Sequence, residues 1–221
     1  MKLLAVIPAH NEAQTIASVV IGVKALGHGV LVIDDGSIDA TAQLAQAVGA
    51  IVVSTHKKSG KGNALRQGFA WALEHGYEAV ICLDGDGQHE AADIQAFLDC
   101  HRASGAALVN GNRMRNPKGM PLVRRATNAF MSWLISIICR QSIPDTQCGF
   151  RLISAEVLKA VQLECSDFEI ETELLIKASK KGFKIASVPI ATIYRDEVSK
   201  IKPVRDTIRF IRYIARAISA K

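Results

Sequence analysis

The sequence has no C-x-x-C pair. Its five cysteines, Cys82, Cys100, Cys139, Cys148 and Cys165, are odd in number and widely scattered, which argues against both a disulfide framework and a zinc site. It also lacks an apolar run long enough for a bilayer: the most apolar stretch, "AFMSWLISIIC" from Ala129 to Cys139, falls short of the roughly 20 residues a spanning helix takes. There is no basic N-terminal region followed by a long apolar stretch and a cleavage site. The chain enters the apolar run "LLAVIP" at once, so the expectation is a protein that stays in the cytoplasm. Excess charge is missing from the body. Of the formal net charge of +6, +5 lies from Arg195 onward, where eight Lys/Arg face three Asp/Glu. The basic surface is therefore local, and no nucleic-acid partner is expected.

What is present is a chain of 221 residues, 49% hydrophobic, enough to bury a real core as one domain, with no internal repeat and no low-complexity linker. Short β-branched runs alternate with helical stretches through the first half: "KLLAVIP", "EAQTIASVVIGVKAL", "GVLVIDD", "DATAQLAQAV", "AIVVS", "KGNALRQGFAWALEH", "AVICLD". This rhythm predicts right-handed βαβ units and an α/β fold, a mostly parallel sheet with helices on both faces. After "ALVNG" it breaks. A loop over 112–121, a helix over 122–139, an edge strand "GFRLIS", a helix over 168–180, a strand pair over 184–195 and a final helix are predicted. The domain is placed at 1–200, with a basic amphipathic helix over 201–221.

In open α/β sheets, ligands bind beyond the carboxyl ends of the strands. Here those ends are polar: "PAHNE" from Pro8, "DDGSIDAT" from Asp34, "KKSGKGNA" from Lys57 and "DGDGQH" from Asp84. Asn11, Ser37 and Asp39 equally suit helix caps, and Gly36 a tight turn. "KSGKG" falls short of the Walker pattern, although glycines and lysines before a helix suit a phosphate. The aspartate stretch is more specific. Carboxylates as close as Asp84 and Asp86, with Gln88 beside them, raise one another's pKa unless a cation or donors compensate. An all-oxygen set points to magnesium or manganese, ions that usually share their coordination with substrate phosphates.

Taken in order, "PAHNE", "DDGSIDAT", "KSGKGNALRQG", "DGDGQH", "GNR" at Gly111, "DTQCGFR" at Asp145 and "FEIETELL" at Phe168 resemble the family 2 glycosyltransferases of GT-A fold, most closely the polyprenol-phosphate (dolichol-phosphate) mannosyltransferases. The resemblance implies a donor cradle of Pro8, Ala9, Asn11, Glu12, Asp35 and Asp84, with Lys58, Gly60 and Lys61 lining the nucleotide pocket. It implies Asp86 and Gln88 as ligands of a Mg2+ or Mn2+ on the donor pyrophosphate. On the acceptor side it implies Arg113 and Arg125, with Arg124 competing for the role of Arg125, and a further pair, Ser199 and Lys200. Gly85, Glu90 and Asn112 depart from the usual D-A-D-x-Q-H-P and G-S-R patterns, which bears on donor preference.

The implied reaction is an inverting transfer of a hexose, mannose or glucose, from GDP-mannose or UDP-glucose to a polyprenyl phosphate, at the cytoplasmic face of a membrane. A phosphate acceptor is already anionic and needs arginines; a hydroxyl acceptor would need a base. Asp145 is the fallback base, with Glu169 and Glu171 behind it. The rival readings are a soluble transferase with a hydroxyl acceptor and a nucleotide-sugar-binding module without catalysis. "VRDTIRFIRYIARAIS" suits either an anionic lipid surface or docking on its own domain. The stretch around "AFMSWLISIIC", apolar nearly all round, suits deep burial, a subunit interface or lipid contact, so the partner is a membrane surface or a membrane-spanning protein. Oligomeric state is not legible.

Overall fold

The computed structural model describes residues 1–117, 119–191, 209–210 and 212–214. In chain order, β1 (Leu3–Ala9), α1 (Ile16–Ala25), β2 (Gly29–Asp34), α2 (Thr41–Ala47), β3 (Ile51–Ser54), α3 (Lys61–Glu74) and β4 (Ala79–Cys82) form the expected βαβ series. A 3-10 turn at Ala91–Asp93, α4 (Ile94–Ser104), β5 (Leu108–Asn112), α5 (Leu122–Cys139), β6 (Arg151–Ser154), α6 (Ala155–Ala160), α7 (Ile170–Lys180) and β7 (Ile185–Pro189) follow. The sheet order is β3-β2-β1-β4-β6-β5-β7. Every neighbouring pair is parallel except those of β6, which runs antiparallel to both β4 and β5.

Strand alternation divides the core into two layers. Leu3, Ala5, Ile7 and Ala9 of β1 face a cluster that includes Val19 and Val23 of α1, Ala45 of α2 and Phe97 of α4. Leu4 and Val6 face the opposite cluster, with Phe69 of α3, Ile135 of α5, Val157 of α6 and Leu174 of α7. Helices therefore cover both faces. In the final stretch, 209–210 and 212–214 are helical, and Phe210, Tyr213 and Ile214 pack into the second layer.

One expectation is corrected. "GFRLIS" is not an edge strand: β6 sits inside the sheet between β4 and β5. Leu152 and Ile153 explain why, since each is wholly buried and they face opposite layers. A strand apolar on both faces belongs where helices cover both. Of the predicted pair over 184–195, β7 is the first member, and residues 192–195 lie outside the described part.

The seating of α3 on β1 depends on Gly68. A Cβ there would stand 2.4 Å from Val6 Cγ1 and 3.4 Å from Ile33 Cγ1. Val6 and Ile33 are fully buried and cannot yield. Gly68→Ala should therefore lower the urea midpoint: overpacking costs about 1–3 kcal/mol, against about 1 kcal/mol gained in helix propensity. A midpoint unchanged or raised would show that the helix can back away.

Candidate active site

Four strand ends meet on one rim. Chain order reverses between β1 and β4, the place at which open α/β sheets bind ligands. Pro8 and Ala9 end β1, and the loop beyond is laced to the loop after β2. Asp35 N–H donates to the Ala9 carbonyl at 2.8 Å, and His10 Nδ1 lies 2.9 Å from the Asp35 carbonyl oxygen. Asn11, held at φ 55°, donates its N–H to Ser37 Oγ and accepts the Ile38 N–H on Oδ1, each at 2.9 Å. Glu12 N–H reaches Thr41 Oγ1 at 2.8 Å, and Ala13 N–H reaches Asp39 Oδ2 at 3.1 Å. Asn11, Ser37 and Asp39 thus join two loops, and Asp39 also caps the start of α2 through the Thr41 N–H at 3.0 Å.

Asp35 grips the third loop. Its Oδ1 accepts the Ser59 N–H at 2.6 Å and the Ser59 hydroxyl at 2.7 Å, and its Oδ2 accepts the Gly60 N–H at 2.8 Å. Gly36, at φ +67°, lets that loop pass, because a Cβ would lie 2.7 Å from the backbone of Lys57 and Lys58. Asp35 and Gly60 are therefore adjacent, with Lys58 exposed on the same rim.

Lys61, the first residue of α3, places Nζ 2.6 Å from Asp84 Oδ1 and 2.7 Å from Glu171 Oε1. Glu171 Oε2 lies 3.8 Å from Arg151 Nη2, and Asp84 Oδ2 lies 3.8 Å from His89 Nε2. Burial alone would strip the charge from Lys61, but the carboxylates of Asp84 and Glu171 hold its pKa above the ordinary lysine value. Burial likewise opposes ionisation of Asp84, and Lys61, seconded by His89, outweighs it, holding the carboxyl well below the usual carboxylate range. Asp84 is thus a fixed anion. The next turn carries Asp86 and Gln88, whose N–H donates to Asp86 Oδ1 at 2.9 Å. Thr15 Oγ1 ties this turn to the start of α1 through the Gly85 carbonyl at 2.7 Å. A Cβ on Gly85 would come 3.3 Å from Glu12 Cγ, which puts Glu12 beside the turn.

Arg113 and Asp145 face each other. Nε and Nη2 donate to Oδ2 and Oδ1 at 2.8 and 2.9 Å, and the Arg113 N–H adds a third bond to Oδ2 at 3.0 Å. Asp145 is wholly buried and Arg113 nearly so. Burial pushes the Asp145 carboxyl up, and Arg113 more than offsets it, leaving the pKa below the ordinary value. Arg124 and Arg125 stand on the first turn of α5, half-buried and exposed respectively. Ser199 and Lys200 lie outside the described residues. Arg151 and Gly149, beside Glu171 and Asp84, were not singled out from the sequence, and Glu171 only as a base ranked behind Asp145, although all three lie within "CGFR" and "FEIETELL".

The family profile described as Glycosyl transferase family 2 matches residues 4–162. The chain belongs to glycosyltransferase family 2. Among its relatives are a UDP-N-acetylglucosamine--dolichyl-phosphate N-acetylglucosaminyltransferase of Methanococcus voltae and an undecaprenyl-phosphate mannosyltransferase of Micrococcus luteus. The first is 29% identical, covering 86% of this chain and 85% of the relative. The second is also 29% identical, covering 89% of this chain and 85% of the relative. Among solved structures, glucosyl-3-phosphoglycerate synthase of Mycobacterium tuberculosis, in complex with Mn2+, UDP and phosphoglyceric acid, superposes with a TM-score of 0.76. It is 22% identical, covering 98% of this chain and 77% of that one. That likeness bears on the fold, which is GT-A.

For this glycosyltransferase the donor set at "DGDGQH" fits a hard divalent ion. Among the described residues, no group of three or more His, Cys, Asp or Glu makes a cage for a metal. A carboxylate and an amide oxygen on one turn leave most of the shell open to phosphate oxygens and water, as Mg2+ and Mn2+ prefer.

The Arg113–Asp145 pair yields a prediction for acid stability. A depressed carboxylate contributes stability that is complete above its ordinary value of about 3.9 and is lost as pH falls through the folded value. Asp145→Asn should cost about 3–5 kcal/mol at neutral pH, because Arg113 is left buried without its anion. It should also flatten the fall in stability below pH ~4. Urea titrations at several pH values check both; parallel curves for variant and wild type would overturn the assignment.

Proposed function

We propose that this protein transfers a hexose, mannose or glucose, from a nucleoside-diphosphate sugar to the phosphate of a polyprenyl lipid, with inversion and with Mg2+ or Mn2+, at the cytoplasmic face of a membrane. The observation that carries the acceptor class is the state of Asp145. A hydroxyl acceptor must lose a proton during attack, and the carboxylate nearest to that role is wholly buried, gripped by Arg113 and held ionised below the usual range. A phosphate acceptor needs no base. The names of the two relatives support the same acceptor class, and their different sugars leave the donor open.

Asp86 and Gln88 would hold the metal, which when bound offsets the charge that builds on the departing diphosphate. The chain's own residues do the remainder. Pro8, Ala9, Asn11, Glu12, Asp35 and Asp84 form the cradle for base and ribose, and Lys58, Gly60 and Lys61 line its phosphate side. Arg124 and Arg125 are where a lipid phosphate would be gripped first, since guanidinium forks match phosphate oxygens.

Helix α5 supports contact with a membrane surface. Its polar residues Asn128 and Ser132 face inward, while Phe130 and Trp133 are 59% and 60% exposed, alongside exposed Leu122, Val123 and Ile137. Aromatic and aliphatic residues beside arginines suit the headgroup boundary. No helix among the described residues is long and apolar enough to cross a membrane.

The test is a transfer assay crossing labelled GDP-mannose and UDP-glucose with polyprenyl phosphate or no lipid, with and without Mn2+. Metal-dependent label in the lipid phase is expected, and Asp86→Ala should lose about two decades of turnover or more while remaining folded. Transfer to a water-soluble hydroxyl acceptor, abolished by Asp145→Asn, would overturn the acceptor assignment. Replacing Phe130 and Trp133 together by serine should cut co-sedimentation with anionic vesicles and leave thermal stability unaltered; undiminished sedimentation would remove α5 from the membrane face.

A further inference from the structure

Four charged side chains from four separate elements form one line beneath the rim, alternating in sign: Arg151 of β6, Glu171 of α7, Lys61 of α3 and Asp84 after β4. Exposure grows along it, from 3% at Arg151 through 12% and 16% to 27% at Asp84. The inner end is immobile. Arg151 Nε and Nη2 donate to the carbonyls of Cys148 and Thr146 at 2.7 and 2.8 Å, and Nη1 donates to the Glu171 carbonyl. Glu171 lies in the first turn of α7, where the helix dipole favours an anion. Lys61 is thus held from one side by a fixed carboxylate, and its ammonium in turn fixes Asp84, the one member that reaches the rim.

We propose that Glu171, anchored by Arg151, is a positioning residue for the nucleotide end of the site. Acting through Lys61, it sets the orientation in which Asp84 meets the ribose and phosphates of a nucleoside diphosphate. The inference rests on the donor-cradle reading of Asp84 given above. Gly149 supplies an independent handle on the same geometry. A Cβ there would come 2.8 Å from Asp84 Oδ2 and 3.1 Å from both Glu171 Oε1 and Lys61 Nζ, so Gly149→Ala disturbs the line without changing a charge.

The experiment is calorimetric titration of UDP and of GDP, each with Mn2+, into the full chain and its Glu171→Gln, Gly149→Ala and Glu173→Gln variants, with thermal unfolding of each. Glu173 is the control: it is buried on the same helix, but its carboxylate accepts the N–H groups of Glu164 and Cys165 and pairs with Lys177, none of them a member of the line. In folded Glu171→Gln and Gly149→Ala, Kd for the bound nucleotide should rise about tenfold or more, as for other partners that orient a ligating group. Glu173→Gln should lose thermal stability with Kd unchanged. A Kd within about twofold of wild type in either folded variant overturns the positioning role, since such partners ordinarily cost tenfold or more. Wild type that binds neither nucleotide overturns the cradle reading itself, and because no lipid is present, a wrong acceptor leaves this result untouched.

Discussion

One ammonium shared between two carboxylates organises the rim. Lys61 is largely buried, and a charge so placed is tolerable only where opposite charge and hydrogen bonds replace its water. Neither Asp84 nor Glu171 would do alone: the first would leave the lysine open toward α7, the second toward the strand end. Together they fix the start of α3, the start of α7 and the exit of β4 relative to one another. Buried ion pairs contribute little net stability against an apolar alternative; what this one supplies is a defined orientation. The backbone around it is correspondingly tight. Gly60 and Gly62 leave no space for a Cβ against the segment 165–167, so α3 and the approach to α7 close on each other with nothing between them.

The antiparallel strand is what makes the sharing possible. A parallel strand beside β4 would present its N-terminal end away from the rim. Because β6 runs the other way, its beginning, with Gly149 and Arg151, lies beside the end of β4. The inversion brings a guanidinium beneath Glu171 and a glycine beneath Asp84. Topology and electrostatics therefore have the same explanation. Leu152 and Ile153 seal the strand into both layers, and Arg151 ties its first residue to the chemistry.

The parts of this arrangement legible in the sequence were those with local signals. β1 to β4 and their helices follow from alternating periodicity, and α5 begins and ends at Leu122 and Cys139 as its pattern indicates. Asp35, Gly60, Lys61 and Asp84 were named from motifs, and they do converge. What was not legible depended on long-range partners. Leu152 and Ile153 mark β6 as apolar on both faces, but which strands flank it is decided far from it in the chain. Nothing near Asp145 tells that Arg113, 32 residues away, will occupy both its oxygens. α4 and α6 went unread because the first follows a polar turn without a clear cap and the second is six residues long. The amphipathic pattern of the tail left open whether it meets a lipid surface or docks on its own domain; Phe210, Tyr213 and Ile214 are described residues that pack on the domain.

The inward face of α5 connects the acceptor side to the Arg113–Asp145 pair. Ser132 Oγ accepts the Thr146 N–H at 3.0 Å, and Ser136 Oγ accepts the Ile143 N–H at the same distance. These bonds flank Asp145 in the chain, so the helix cannot roll its aromatics inward without unmaking the segment that presents the carboxylate. Water alone gives no reason to expose Phe130 and Trp133 and bury serines. The membrane contact proposed above would cover that face. The same serines that lie on the inward face of α5 brace the segment on either side of Asp145, which pairs with Arg113. The membrane contact and the phosphate acceptor proposed above thus draw on one stretch of structure, since the helix that exposes the aromatics also braces the segment carrying Asp145.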